Sequence, residues 1–87
     1  KMAQSFNGTI KTNGEWVLVE TLTDLTFTAG NIYNMWIGNQ AYLKTGDYVT
    51  PCFNENFDYK GGTDNLYIKT NYDLECQLSI LENEASS

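Results

Sequence analysis

Apolar and polar residues alternate with a period of two along most of this chain, and nowhere do apolar residues recur at three-and-four spacing over the dozen or so positions that a helix needs. Strands are therefore the expected elements. Trp16-Val17-Leu18-Val19-Glu20-Thr21 consists almost wholly of residues that favour a pleated sheet, and Asn13-Gly14 ahead of it is a strong turn signal. The pattern predicts a hairpin joining this strand to a first one near Ala3 to Lys11, in which Phe6 and Ile10 supply apolar contacts. Leu25-Thr26-Phe27-Thr28 alternates cleanly, and Ala29-Gly30-Asn31 turns it into Ile32-Tyr33-Asn34-Met35-Trp36-Ile37, a second expected hairpin. Gly38-Asn39 marks another turn, before a short strand Ala41-Tyr42-Leu43-Lys44 that ends at Thr45-Gly46-Asp47. Pro51 and scattered polar groups make Tyr48 to Asn56 the longest expected loop. Extension resumes at Phe57-Asp58-Tyr59-Lys60, breaks at Gly61-Gly62, and continues from Asp64 to Thr70 with Leu66, Ile68 and Thr70 on one face. Leu74 to Leu81 closes the set with the most regular alternation in the chain.

These elements predict an all-β fold, a small antiparallel β-sandwich or barrel of seven to eight short strands separated by frequent turns. At 87 residues there is room for one core only, read as a single β-domain over residues 1–81 with a polar C-terminal tail over 82–87. Chains of this size bury only about 60 to 65% of their unfolded surface, so self-association is an expected supplement to the core. In the strand from Ile32 to Ile37 large apolar side chains fall on both faces. The second face is expected to pack on another sheet or on another subunit.

Charge narrows the partners. The formal net charge is −6, with five lysines and no arginine, which argues against nucleic acid because phosphate neutralisation needs cationic side chains. The same acidity disfavours anionic membrane surfaces, and no apolar run reaches the roughly 18 to 20 residues needed to span a bilayer. Neither end reads as a basic stretch followed by an apolar one, so no secretion signal is expected.

Candidate chemistry is sparse. Without histidine the commonest general base is missing and the usual Cys/His zinc sets cannot form, so no catalytic residue, metal or cofactor is assigned and the chain is read as a non-enzyme. Asp58 with Asp64, or Asp73 with Glu75, read as solvated surface acids rather than a glycosidase pair. Asn54-Glu55-Asn56-Phe57-Asp58 offers oxygen ligands at alternate positions but lacks the central glycine and closing glutamate of a calcium loop, and reads as a polar turn. Cys52, placed in the expected loop, and Cys76, on the apolar face of the last strand, are read as two free thiols. The aromatics carry more weight, because exposed rings on a sheet stack on sugars or anchor protein interfaces. Trp36, Tyr42, Tyr48 and Phe53 are the candidate binding residues.

The succession Gly14-Glu15-Trp16-Val17-Leu18-Val19-Glu20, Leu25-Thr26-Phe27-Thr28-Ala29-Gly30, Tyr33-Asn34-Met35-Trp36-Ile37, Pro51, Phe57, Gly61-Gly62 and Leu66-Tyr67-Ile68-Lys69 resembles small β-rich bacteriophage virion proteins. The resemblance covers about Gly14 to Lys69 and rests on structural hydrophobic positions; it transfers no functional residue. It implies a virion location, with synthesis in the host cytoplasm, and a structural or assembly role as a capsid-decorating or fibre-type module. The partners it implies are like subunits, a trimer being common in such modules, or a coat-protein lattice. The alternative is a carbohydrate-binding or receptor-binding β-module, in which two or three of the candidate rings form a platform for a glycan.

Overall fold

The computed structural model describes residues 3–83. Its elements run β1 (Ser5–Ile10), β2 (Val17–Leu18), α1 (Val19–Thr23), β3 (Ile32–Thr45), β4 (Tyr48–Lys60), β5 (Leu66–Lys69) and β6 (Cys76–Asn83). All-β describes the architecture, with one short helix. The six strands form a single antiparallel sheet that curls into a half-barrel, rather than the two layers of a sandwich or the seven to eight strands expected.

β3 is the spine. One side of its whole length pairs with β4. Its other side pairs first with β6, which carries β1 beyond it, and then with β5, which carries β2. The pairing places Tyr33, Met35, Ile37, Ala41 and Leu43 on the concave side, where all are buried. Ile68, Leu66, Cys76, Leu78, Ile80 and Cys52 join them from neighbouring strands. The alternation seen in β5 and β6 is thus the core-facing pattern it looked like.

Where the sequence expected two strands separated by a turn at Gly38-Asn39, β3 runs straight through. The register slips between Ile37 and Gln40, where two residues of β3 oppose one of β4, so the turn signal marks a bulge. Asn39 and Asn54 both adopt positive φ there, and the Asn39 amide donates to Asn54 Oδ1 at 2.8 Å. The expected loop from Tyr48 to Asn56 is also strand. Pro51 fits because β4 is an edge, where a residue lacking its N–H is tolerated. The tight turn at Thr45-Gly46-Asp47 does join β3 to β4.

Neither early hairpin forms. Asn13 and Gly14 adopt the positive φ of a tight turn, but β1 pairs with β6 and β2 with β5. The turn is held by Thr12 and Thr70 instead: each backbone N–H donates to the other's Oγ1, at 2.9 and 2.8 Å, in a buried site. The expected strand Trp16 to Thr21 stops after Leu18 and becomes α1. Thr23 Oγ1 donates back to the Val19 carbonyl at 2.8 Å, and Asp24 ends the turn in the left-handed conformation. Tertiary contact overrides β-propensity here, since the turn buries Val19 and Thr23 against the sheet's open concave side.

Residues 25–28 make no ladder, because side chains take their amides. Thr26 N–H donates to Gln4 Oε1 (3.0 Å), Phe27 N–H to Glu20 Oε2 (2.7 Å) and Thr28 N–H to Tyr33 Oη (2.6 Å). Phe27 is thereby set against the rings of Tyr33 and Tyr59, with centroids 4.6 and 5.1 Å away. The segment passes so close to Gly61 that a Cβ there would lie 2.1 Å from the Thr28 carbonyl oxygen, which accounts for a glycine at this position. β6 also runs past the expected end of the domain at Leu81: Glu82 and Asn83 are strand residues, and Glu82 is buried. The rest of the expected tail, 84–87, lies outside the described residues.

Candidate functional site: the outer face of the sheet

The concave side offers no reactive constellation among the described residues. Cys52 does not sit in a loop; it projects into the core from β4, opposite Ala41, and both thiols are free and buried. Burial pushes each thiol up to about 11, so both stay protonated and unreactive near neutrality. Three or more metal-ligating side chains do not come together anywhere among these residues. Glu82, the one buried carboxylate among the described residues, is held by hydrogen bonds on both oxygens. Tyr33 Oη donates to it at 2.6 Å, the Gln4 backbone N–H at 2.9 Å and Asn31 Nδ2 at 3.0 Å. The Tyr33 hydroxyl first, then the Gln4 and Asn31 donors, hold the carboxyl down at about 2. This group ties the β1 entry, the chain before β3 and the end of β6 together.

The convex side is different, because among the described residues no second layer covers it. β-pleating sends Trp36, Gln40, Tyr42 and Lys44 outward from β3. Val49, Pro51 and Phe53 stand beside them on β4, and Ser79 and Leu81 on β6. The indole of Trp36 reaches along its own strand, with Nε1 3.3 Å from where a Cβ on Gly38 would be, so the missing side chain at Gly38 leaves it room. Trp36 and Leu81, 37% and 54% exposed, line a shallow depression with Asn34, Asn56 and Ser79. Its rim is fixed by Asn34 Nδ2 donating to Asp58 Oδ1 at 2.6 Å and Asn83 Nδ2 donating to Asn34 Oδ1. A second depression is lined by Asn39, Gln40, Phe53, Leu74 and Glu75, with Phe53 68% exposed.

Of the four aromatics singled out by sequence, Trp36, Tyr42 and Phe53 share this outer face. Tyr48 is exposed but belongs to the other side, where it lines a hollow near the β3–β4 turn with Leu43, Thr50 and Phe57. Tyr42 is half-buried and belongs to a group that sequence reasoning missed. Tyr42-Leu43-Lys44 and Tyr67-Ile68-Lys69 are the same Tyr-apolar-Lys triplet, and they pair antiparallel about Leu43 and Ile68. That register sets Tyr42 opposite Lys69 and Lys44 opposite Tyr67. Trp16, just before β2, lies over both. Lys44 Nζ is 4.9 Å and Lys69 Nζ 4.8 Å from the Trp16 ring centroid, with Tyr67 and Tyr42 rings at 5.3 and 5.6 Å from the same two ammoniums. The repeated triplet is the signal that marked the group; which strands would meet was not written locally.

No protein-family model matches this chain, no curated protein matches its sequence, and no solved structure matches its fold.

Proposed function

We propose that this chain is a non-catalytic binding module that associates with further copies of itself through the outer face of its sheet. The observation that carries the reading is the exposure of Trp36, Val49, Phe53 and Leu81 on one side of a sheet that, among the described residues, carries no second layer there. Desolvated aromatic and aliphatic anchors ringed by amides are the composition of an interface core and rim. The two longest dimensions of the molecule, 42 and 26 Å, give a face adequate for the about 800 Å² per partner of a standard interface. Strand addition at the β4 edge is the less favoured geometry, because Pro51 removes a donor and the positive-φ Asn54 bulge breaks the ladder.

The setting we attach to this proposal is the one the sequence resemblance implies: a capsid-decorating or fibre-type element of a virion, as a trimer or on a coat lattice. Sedimentation velocity over a wide concentration range tests the association. The wild-type mass is expected to rise above that of one chain, and Phe53→Asn/Leu81→Asn to stay at it. A wild-type protein that remains a single chain throughout overturns self-association.

A further inference from the structure

Five lysines serve a chain of net charge −6, and two of them, Lys44 and Lys69, hold their ammoniums 4.9 and 4.8 Å from the centre of one indole, that of Trp16. Both are half-buried. Among the described residues the single ion pair is Lys11 with Asp73, at 3.8 Å, and neither Lys44 nor Lys69 donates a hydrogen bond to any protein acceptor. Two like charges that share one ring lie no more than about 10 Å apart and repel each other without an anion, and in an acidic protein nearby carboxylates would be the ordinary remedy. The rings offset part of that cost. At 4.8 to 5.6 Å, however, the ammoniums sit between rings, and their N–H donors stay free.

We propose that Trp16, Lys44, Lys69, Tyr42 and Tyr67 form a binding site for a carboxylate-bearing saccharide, such as a uronic acid unit of an acidic glycan. The paired ammoniums take the carboxylate. The indole and phenol rings offer apolar surface to the C–H face of the sugar, and the Tyr42 hydroxyl, 3.5 Å from Gln40 Nε2, offers a polar edge to its hydroxyls. A neutral sugar would leave the ammonium pair without its counter-charge, and an acidic peptide would leave the rings without a flat partner. The site shares the outer face with Val49 and Phe53 but uses other residues, so its test is read on dilute protein and its failure is distinguishable from a failure of self-association.

Fluorescence titration of the Trp36→Phe protein tests it, since Trp16 is then the sole tryptophan. The probes are trigalacturonate, neutral maltotriose and triglutamate. Trigalacturonate is expected to change Trp16 emission saturably and to weaken as salt is raised, with the other two binding at least about tenfold more weakly. Adding Lys44→Met/Lys69→Met should lower the trigalacturonate affinity by at least about tenfold while leaving the circular dichroism unchanged. Should that double variant misfold, Lys69→Met alone, with the wild-type salt dependence, carries the test. No saturable response to trigalacturonate, or an equal response to maltotriose, overturns the proposal. An equal response to triglutamate also overturns it and reassigns the lysines to an acidic polypeptide.

Discussion

Alternate residues of β3 live in two different solvents. Tyr33, Met35, Ile37, Ala41 and Leu43 are at most 1% exposed, whereas Trp36, Tyr42 and Lys44 between them remain open to water. The inner set is closed over by α1 and by the irregular segment that brings in Phe27, so its apolar character is explained by the fold. The outer set has equally large side chains but, among the described residues, no layer over it: Trp16 reaches the Lys44 end and leaves Trp36 exposed. Trp36 and Phe53 contribute little to the core, and the sequence holds aromatic residues where threonine or lysine would serve a solvated strand better. The contrast separates residues that make the sheet from residues the sheet displays.

Substitutions on the two sides should therefore differ in kind. The largest effect is expected for Ile37→Ala, which opens a cavity at a fully buried position and should cost about 2–5 kcal/mol in urea unfolding. Glu82→Gln is next, because it removes the charge that organises Tyr33, Gln4 and Asn31. Its signature is in the pH dependence. The Glu82 carboxyl lies at about 2 against an ordinary 4.5, so its stabilisation is fully present above pH 4.5 and is lost as pH falls toward 2. The thermal midpoint of wild type should exceed that of Glu82→Gln at neutral pH, and the gap should close through that acid window; a gap independent of pH would contradict the assignment. On the outer face, Lys44→Met should change stability by no more than about 0.5–1 kcal/mol, because the cation–aromatic contact it loses and the repulsion from Lys69 it relieves oppose each other. Phe53→Asn, at 68% exposure, should change folding stability by no more than about 0.5 kcal/mol while weakening association. A large stability loss at Phe53 would erase the distinction between the two faces.

Much of the inner face was legible because burial writes a period of two into β5 and β6, and Leu66, Ile68, Leu78 and Ile80 all point where their alternation says. Breaker residues misled at positions where the sheet tolerates them: Pro51 on an edge, and Asn39 with Asn54 in a bulge. Residues 25–28 read as a strand because the pattern cannot show that Gln4, Glu20 and Tyr33 side chains will take their amides. Strand partners were hidden for the same reason, since Asn13-Gly14 specifies a turn but not which strands flank it. On the candidate site, Trp36 and Phe53 were visible as aromatics in polar surroundings. The lysine pair needed the β3–β5 register, which brings residues 42 and 69 together and is fixed by the core residues Leu43 and Ile68 rather than by the lysines themselves.

The central claim is that the outer face is the working surface. Its most direct test is solvent paramagnetic relaxation of side-chain protons, measured by NMR on dilute and on concentrated protein. On concentration, protection is expected at Trp36, Val49, Phe53 and Leu81, with Tyr48, on the opposite face, unchanged. Protection that appears at Tyr48 and spares Trp36 and Phe53, or at none of these residues, would contradict the account.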